Sequence, residues 1–98
     1  MISLENRRRA VERILEDESL TADLTDAAAT LLLDWGLARV EALVQQAELD
    51  AHLADLRRTM KRIGRQVGKA APEAQVERVR ALLAEIEKKQ DAEVENDT

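Results

Sequence analysis

The sequence predicts an all-α protein. A short N-terminal helix precedes a long central helix, which forms an antiparallel coiled-coil hairpin with a C-terminal helix, and the chain is assembled as a helical-bundle homodimer. Charged residues make up 36% of the chain and aromatic residues 1%, a balance typical of helical bundles and coiled coils. Apolar residues recur at heptad spacing in its second half. A chain of 98 residues forms one domain at most, which we place at residues 1–90.

The first helix is predicted to begin after Ser3, a suitable N-cap, and to end near Glu16. Its apolar side chains share one face, formed by Leu4, Val11, Ile14 and Leu15. The stretch EDESLTADLTD is predicted as a turn, because Ser, Thr and Asp side chains compete with helical hydrogen bonds. Asp23 or Thr25 then caps the next helix.

The central helix is predicted to run from Thr25 to about Gln66, because a polar stripe keeps helical phase over this whole range. Such a helix is roughly 60 Å long. The alternative is a break near QQAELD, where Asp50 would cap a new helix. Gly64 or Gly68 is expected to end the helix as a left-handed C-cap.

Two apolar faces run along this helix. One is a seam that continues into heptad spacing, formed by Leu31, Trp35, Ala38, Ala42, Leu49, Leu53, Leu56, Met60, Ile63 and Val67. The other exists only in the first half, at Leu32, Leu33, Leu37, Val40, Leu43, Val44, Ala47, Ala51 and Ala54. The first half should therefore be covered on both sides. Gly36 is expected where a neighbouring backbone comes close.

The C-terminal helix is predicted from Pro72 to Lys89, with an apolar face at Val76, Val79, Leu83 and Ile86. Residues 91–98 are predicted to be a disordered acidic tail. This helix is not expected to reach Leu31, and the first helix can cover only one face of the central helix. A second copy of the chain is therefore expected to cover the other face. The predicted dimer interface consists of Leu33, Trp35, Gly36, Leu37, Val40 and Val44.

The net charge of −5 is unevenly distributed. Residues 1–55 carry 5 basic and 12 acidic side chains, residues 56–72 carry 6 basic and none acidic, and residues 73–98 carry 4 basic and 8 acidic. The middle group, which we name the basic cluster, consists of Arg57, Arg58, Lys61, Arg62, Arg65 and Lys69. Placed at the tip of the hairpin, it is the candidate contact for an anion or a protein partner. It also gives the alternative function, a nucleic-acid-associated protein, which is not favoured because no aromatic side chain in the cluster can stack on a base.

Metal binding and catalysis have weak support in the sequence. Glu48, His52 and Asp55 lie at i, i+4 and i+7, but di-metal bundles draw their ligands from several facing helices, so a solvated polar face is the preferred interpretation. The chain has no Cys and no triad or phosphate-loop pattern. We predict no catalytic residue, no metal site and no cofactor.

The sequence therefore predicts a non-enzymatic helical protein–protein interaction module, an adaptor or small regulatory protein whose partner it does not identify. The N-terminus has no apolar signal region, and the longest apolar run is too short to span a membrane. A cytoplasmic location without membrane contact is expected, and the lack of cysteine is consistent with it.

Overall fold

The computed structural model describes residues 4–46 and 49–96, with side chains described for residues 5–42 and 51–89. Every regular element within these ranges is a helix, which confirms the all-α prediction. The helices are α1 (Leu4–Leu15), α2 (Glu18–Thr21), α3 (Asp26–Gln46), α4 (Leu49–Val67) and α5 (Pro72–Asn96). They pack into a body of 43 × 31 × 17 Å.

Two helices, α3 and α4, take the place of the long central helix, so the prediction of one continuous helix is wrong. The side chain of Leu15 lies against Gly36 in α3, and a Cβ on Gly64 in α4 would lie 3.3 Å from the carbonyl oxygen of Leu20. One straight helix would separate Gly36 from Gly64 by about 42 Å. The five-residue segment between Leu15 and Leu20 spans at most about 18 Å. The chain must therefore turn back between α3 and α4.

The observed helix ends agree with the alternative break near residues 45–50, although residues 47 and 48 lie outside the described residues. Asp50 lies inside α4 and does not precede it. The polar stripe did not distinguish one helix from two. It shows which side of each helix is polar, but it does not show whether the chain reverses direction between them.

Folding back covers α3 within a single chain, because α1, α4 and α5 all contact it. Leu32, Trp35 and Val40 are buried as a result. Burial of apolar surface stabilises a fold by about 25 cal/mol per Å², so covering both faces of α3 inside one chain is the physical reason for two helices where one was predicted.

One hydrophobic core receives side chains from all five helices. Its buried members are Val11, Leu15, Leu20, Ala28, Leu32, Trp35, Val40, Leu56, Met60, Ile63, Val67, Val79 and Leu83. The predicted α1 face is present, with Ile14 packed against this core, while the side chain of Leu4 lies outside the described residues. The heptad positions of α4 and α5 also supply core residues, so heptad spacing identified their buried faces correctly.

The predicted turn after α1 contains one helical turn, α2, whose N-cap is Asp17. Its Oδ1 accepts hydrogen bonds from the backbone N–H and the hydroxyl of Ser19, at 3.0 and 2.6 Å. At the start of α3, the Oγ1 of Thr25 accepts a hydrogen bond from the N–H of Ala28 at 3.2 Å. Thr25 is therefore the N-cap of α3, for which the sequence had offered either Asp23 or Thr25.

Gly64 and Gly68 serve close packing. The left-handed C-cap predicted for one of them is wrong, because neither residue adopts a left-handed backbone conformation. A Cβ on Gly68 would lie 3.6 Å from the Cβ of Asp23. The missing side chains thus let α2 and the turn after it approach the end of α4. The prediction that a neighbouring backbone comes close at Gly36 is wrong. The absence of a side chain at Gly36 gives room to the side chain of Leu15 instead.

The helix α5 begins at Pro72, as predicted, but continues to Asn96, seven residues beyond the predicted end at Lys89. Residues 91–96, predicted to belong to a disordered tail, therefore continue the helix, and residues 97–98 lie outside the described residues. No Gly or Pro follows Pro72, and Ala and Glu are good helix formers, so nothing in the sequence stops the helix at Lys89.

A candidate protein interface in the groove between α4 and α5

The basic cluster lies along α4. Five of its six residues fall inside this helix, and Lys69 alone belongs to the connection at residues 68–71. These five residues lie within residues 57–65 of α4, which leads into this connection. All six side chains are exposed.

On one side of α4, Arg57 and Lys61 lie near Asp17, the N-cap of α2. Nη2 of Arg57 lies 3.4 Å from Oδ2 of Asp17. The pKa of Asp17 is lowered, first by its hydrogen bonds from Ser19 and then by the positive charges of Arg57 and Lys61. These two members of the basic cluster therefore act within the chain, in the contact between α2 and α4.

The other side of α4 forms an open groove with α5. Arg58, Arg62 and Arg65 line it from α4, and Lys89 and Ile86 line it from α5. The spacing i, i+4, i+7 brings the three arginines onto one face of the helix. The volume of the groove is about 670 Å³, and its remaining walls are Asp55, Thr59 and Gln66. We name this feature the basic groove.

The charges of the basic groove are mostly uncompensated within the described part of the chain. Arg58 pairs with Asp55 at 3.8 Å, and both side chains are well exposed. Arg62, Arg65 and Lys89 make no ion pair or hydrogen bond with any described residue. The groove thus holds four cations and one carboxylate, and at physiological salt these charges act over about 8 Å. An acidic surface would be attracted to it.

The predicted dimer interface on α3 is largely covered by the chain itself. Trp35 is 9% exposed and Val40 is 1% exposed, and Leu15 lies over Gly36. Leu33 is half-buried against the core, whereas Leu37 is 41% exposed. The side chain of Val44 lies outside the described residues. This face therefore offers a second copy much less apolar surface than the sequence indicated.

Covering of α3 by three helices of the same chain, α1, α4 and α5, explains the difference. The prediction that the C-terminal helix does not reach Leu31 is wrong, because Leu31 and Trp35 line a shallow groove of about 370 Å³ with Leu83 and Ala84 of α5. The helix reaches Leu31 because α3 and α5 start at the same end of the molecule. The indole Nε1 of Trp35 is buried and has no hydrogen-bond partner among the described residues.

Two of the three residues with metal-ligand spacing, His52 and Asp55, lie within the described residues. The structure describes neither the backbone nor the side chain of Glu48, His52 is half-buried, and Asp55 pairs with Arg58. Across the described ranges, no group of three or more Asp, Glu or His side chains is placed to hold a metal ion.

The sequence analysis missed the contribution of α5 to the basic groove. Lys89 entered the prediction only as the end of the C-terminal helix, and Ile86 only as part of the apolar face of that helix. The predicted hairpin already paired the two helices, but the charge pattern of a single helix does not show which of its residues meet those of the other helix. Gln75, which is buried at 4% exposure, was missed for the same reason.

None of the described helices is both long and apolar enough to cross a membrane. Comparison with known proteins identifies no relative, since no protein family, no curated protein and no solved structure matches this chain.

Proposed function

We propose that the chain is a non-enzymatic helical protein–protein interaction module, an adaptor or small regulatory protein, that works in the cytoplasm as a homodimer. In this proposal α4 and α5 form an antiparallel coiled-coil hairpin, and their outer side carries the binding surface. The observation that supports it best is the basic groove, whose Arg62, Arg65 and Lys89 have no partner among the described residues.

The form of the basic groove suits recognition of a surface. Catalysis commonly uses a site that excludes water, whereas this groove is open and its cations are exposed. Arginine is enriched in protein interfaces because its guanidinium group makes bidentate hydrogen bonds with carboxylates and its stem covers apolar surface. Ile86 supplies an apolar contact beside the charges. An acidic helix or loop matches this combination.

The homodimer has a first candidate interface on α3, which would now depend on Leu33 and Leu37. These are the predicted interface residues that the described chain leaves partly or fully exposed. Protein interfaces commonly bury about 800 Å² on each partner. Two leucines supply a small part of that area, so a homodimer requires a further contact surface.

Nucleic-acid binding is the second candidate function, because the row Arg58, Arg62 and Arg65 could contact successive phosphates. Two features oppose it. The chain carries a net charge of −5, and the groove contains no aromatic side chain on which a base could stack.

A pull-down from a lysate of the source organism separates the two functions. The bait proteins are the wild type, the groove variant Arg62→Glu with Arg65→Glu, and a control variant, Arg13→Glu with Arg78→Glu, which makes the same charge change at exposed positions outside the groove. A protein captured after nuclease treatment by the wild type and the control, but not by the groove variant, is the expected result. Capture that disappears with nuclease would support the nucleic-acid function and overturn the proposal.

A further inference from the structure

The end of α5 carries the opposite charge to the basic groove. After Lys89 the sequence contains Asp91, Glu93, Glu95 and Asp97 and no further Lys or Arg. The helix continues to Asn96, so most of this acidic stretch belongs to α5. We name residues 91–97 the acidic end.

The backbone of the acidic end leads away from the basic groove of its own chain. Lys89 and Ile86 line the groove from α5, and the same helix continues past Lys89 to Asn96. An α-helix rises about 1.5 Å per residue in one direction, so residues 91–96 leave the groove and do not turn back into it. Most of the acidic stretch therefore lies beyond the groove of its own chain, where it can meet another molecule.

We infer that the basic groove binds the acidic end of α5 from a second copy of the chain. This inference rests on the proposed interaction function and assigns its homodimer a surface other than the face of α3. The groove offers four cations with one carboxylate, and the acidic end offers four carboxylates with no cation. Opposite charges of nearly equal number attract, and a second chain supplies both sets.

Twofold symmetry allows both contacts at once. If two α5 helices run antiparallel with the symmetry axis near their ends, the acidic end of each chain lies on the basic groove of the other. The same contact is then made twice, as in an isologous dimer. Because the paired charges are exposed, each pair is weak alone and the contact depends on their number and on salt.

Sedimentation velocity of the full chain at micromolar concentration tests this contact, with the salt concentration and the charges of the groove as the two variables. Raising NaCl from about 20 mM to about 500 mM shortens the Debye length from roughly 20 Å to roughly 4 Å. We expect the wild type and the control variant Arg13→Glu with Arg78→Glu to be dimers at low salt and to dissociate at high salt. The groove variant Arg62→Glu with Arg65→Glu should associate at least about tenfold more weakly at low salt, because several exposed pairs are lost together.

A charge exchange identifies the partner segment. The variant Glu93→Lys with Glu95→Lys should also associate more weakly alone, since its acidic end then carries two carboxylates and two cations and is no longer opposite in net charge to the basic groove. Mixed with the groove variant, it should form a one-to-one heterodimer, because one contact is that of the wild type and in the other the introduced Lys side chains meet the introduced Glu side chains. The helical circular dichroism of each variant establishes that it is folded. If the Glu substitutions unfold the chain, Arg62→Gln with Arg65→Gln gives the same comparison without added negative charge.

Two results would overturn the inference. One is a wild type that is monomeric at low salt, and the other is a mixture of the two variants that does not associate. A monomeric wild type would also remove the homodimer from the proposed function, but the protein-interaction function stands after either result, provided that the groove variant still loses a captured protein. Binding of a DNA duplex at low micromolar concentration that is lost in the groove variant, with no self-association of the wild type, would instead assign the groove to nucleic acid and overturn both proposals.

Discussion

The side chain of Gln75 joins the start of α5 to the turn before α3. Its Oε1 accepts the N–H of Thr25 at 2.7 Å, and its Nε2 donates to the carbonyl oxygen of Asp23 at 3.1 Å. Gln75→Met keeps a similar volume but leaves two partly buried backbone groups without partners. We expect it to lower the free energy of unfolding by about 1–3 kcal/mol, measured by chemical denaturation.

Gln66→Met is the matched control for this experiment, because Gln66 is an exposed residue of α4. It should change the denaturation midpoint little. Equal losses in the two variants would show that the bridge at Gln75 contributes nothing specific.

The carboxylate of Asp17 gives the stability of the chain a predictable pH dependence. Its pKa is lowered in the folded chain by hydrogen bonds from Ser19 and by the nearby Arg57. A lowered folded pKa means that the stabilising contribution is present above the pKa of the unfolded chain, about 3.9, and is lost as the pH falls through the folded value. Asp17→Ala should therefore melt at a lower temperature than the wild type at pH 7, and the difference should decrease below about pH 4.

Asp17→Asn separates the two causes, because an amide oxygen can still accept the hydrogen bonds from Ser19 while the charge near Arg57 is lost. Its melting temperature at neutral pH should lie between those of the wild type and Asp17→Ala. A difference between wild type and Asp17→Ala that stays constant from pH 7 to acid would contradict the assigned role of the charge.

The helix α4 combines a buried face with a charged one, and the two should respond differently to truncation. Leu56 is 7% exposed and belongs to the core, whereas Arg58 is an exposed residue of the basic groove. Leu56→Ala should destabilise the chain by about 2–5 kcal/mol, as large-to-small core changes do. Arg58→Ala should cost well under about 1 kcal/mol, because its pair with Asp55 is exposed. Similar melting shifts in the two variants would show that the assignment of faces is wrong.

Local signals predicted the helix starts and the buried faces. Thr25 and Pro72 mark helix starts because a cap and a fixed φ act within one turn. Heptad spacing identified Leu56 and Leu83 as core residues because it depends on one helix at a time. The reversal between α3 and α4 was weighed only as an alternative, since it depends on which helices cover Trp35 and no residue near the break excludes a continuous helix.

The basic groove was also predictable only in part from the sequence. The charge count along the chain located Arg58, Arg62 and Arg65, because they lie close together in sequence. It did not separate them from Arg57, which faces Asp17 forty residues away. Nor did it add Lys89, which belongs to another helix. Contacts between distant segments decide these assignments, and the periodicity of one segment carries no information about them.

At the scale of the whole molecule, a single chain covers most of the apolar surface that the sequence had left to a partner. Val40 is 1% exposed and Leu37 is 41% exposed, although both belong to the predicted interface on α3. Val40→Glu should therefore unfold or strongly destabilise the chain and not simply split a dimer, because a buried unpaired carboxylate costs several kcal/mol. Far-UV circular dichroism and the emission of Trp35 measure this, and the emission should move to longer wavelength.

Leu37→Glu addresses the same face without disturbing the core. Leu37 is 41% exposed, so the variant should keep the helix content of the wild type and melt at nearly the same temperature. If the contact between copies lies in the basic groove, Leu37→Glu should also keep the sedimentation behaviour of the wild type, while Arg62→Glu with Arg65→Glu should not. Dissociation caused by Leu37→Glu in a folded chain, together with a groove variant that still dimerises, would place the interface on α3. A folded Val40→Glu with unchanged Trp35 emission would contradict the core assignment itself, because a carboxylate cannot occupy that position without water or a partner reaching it.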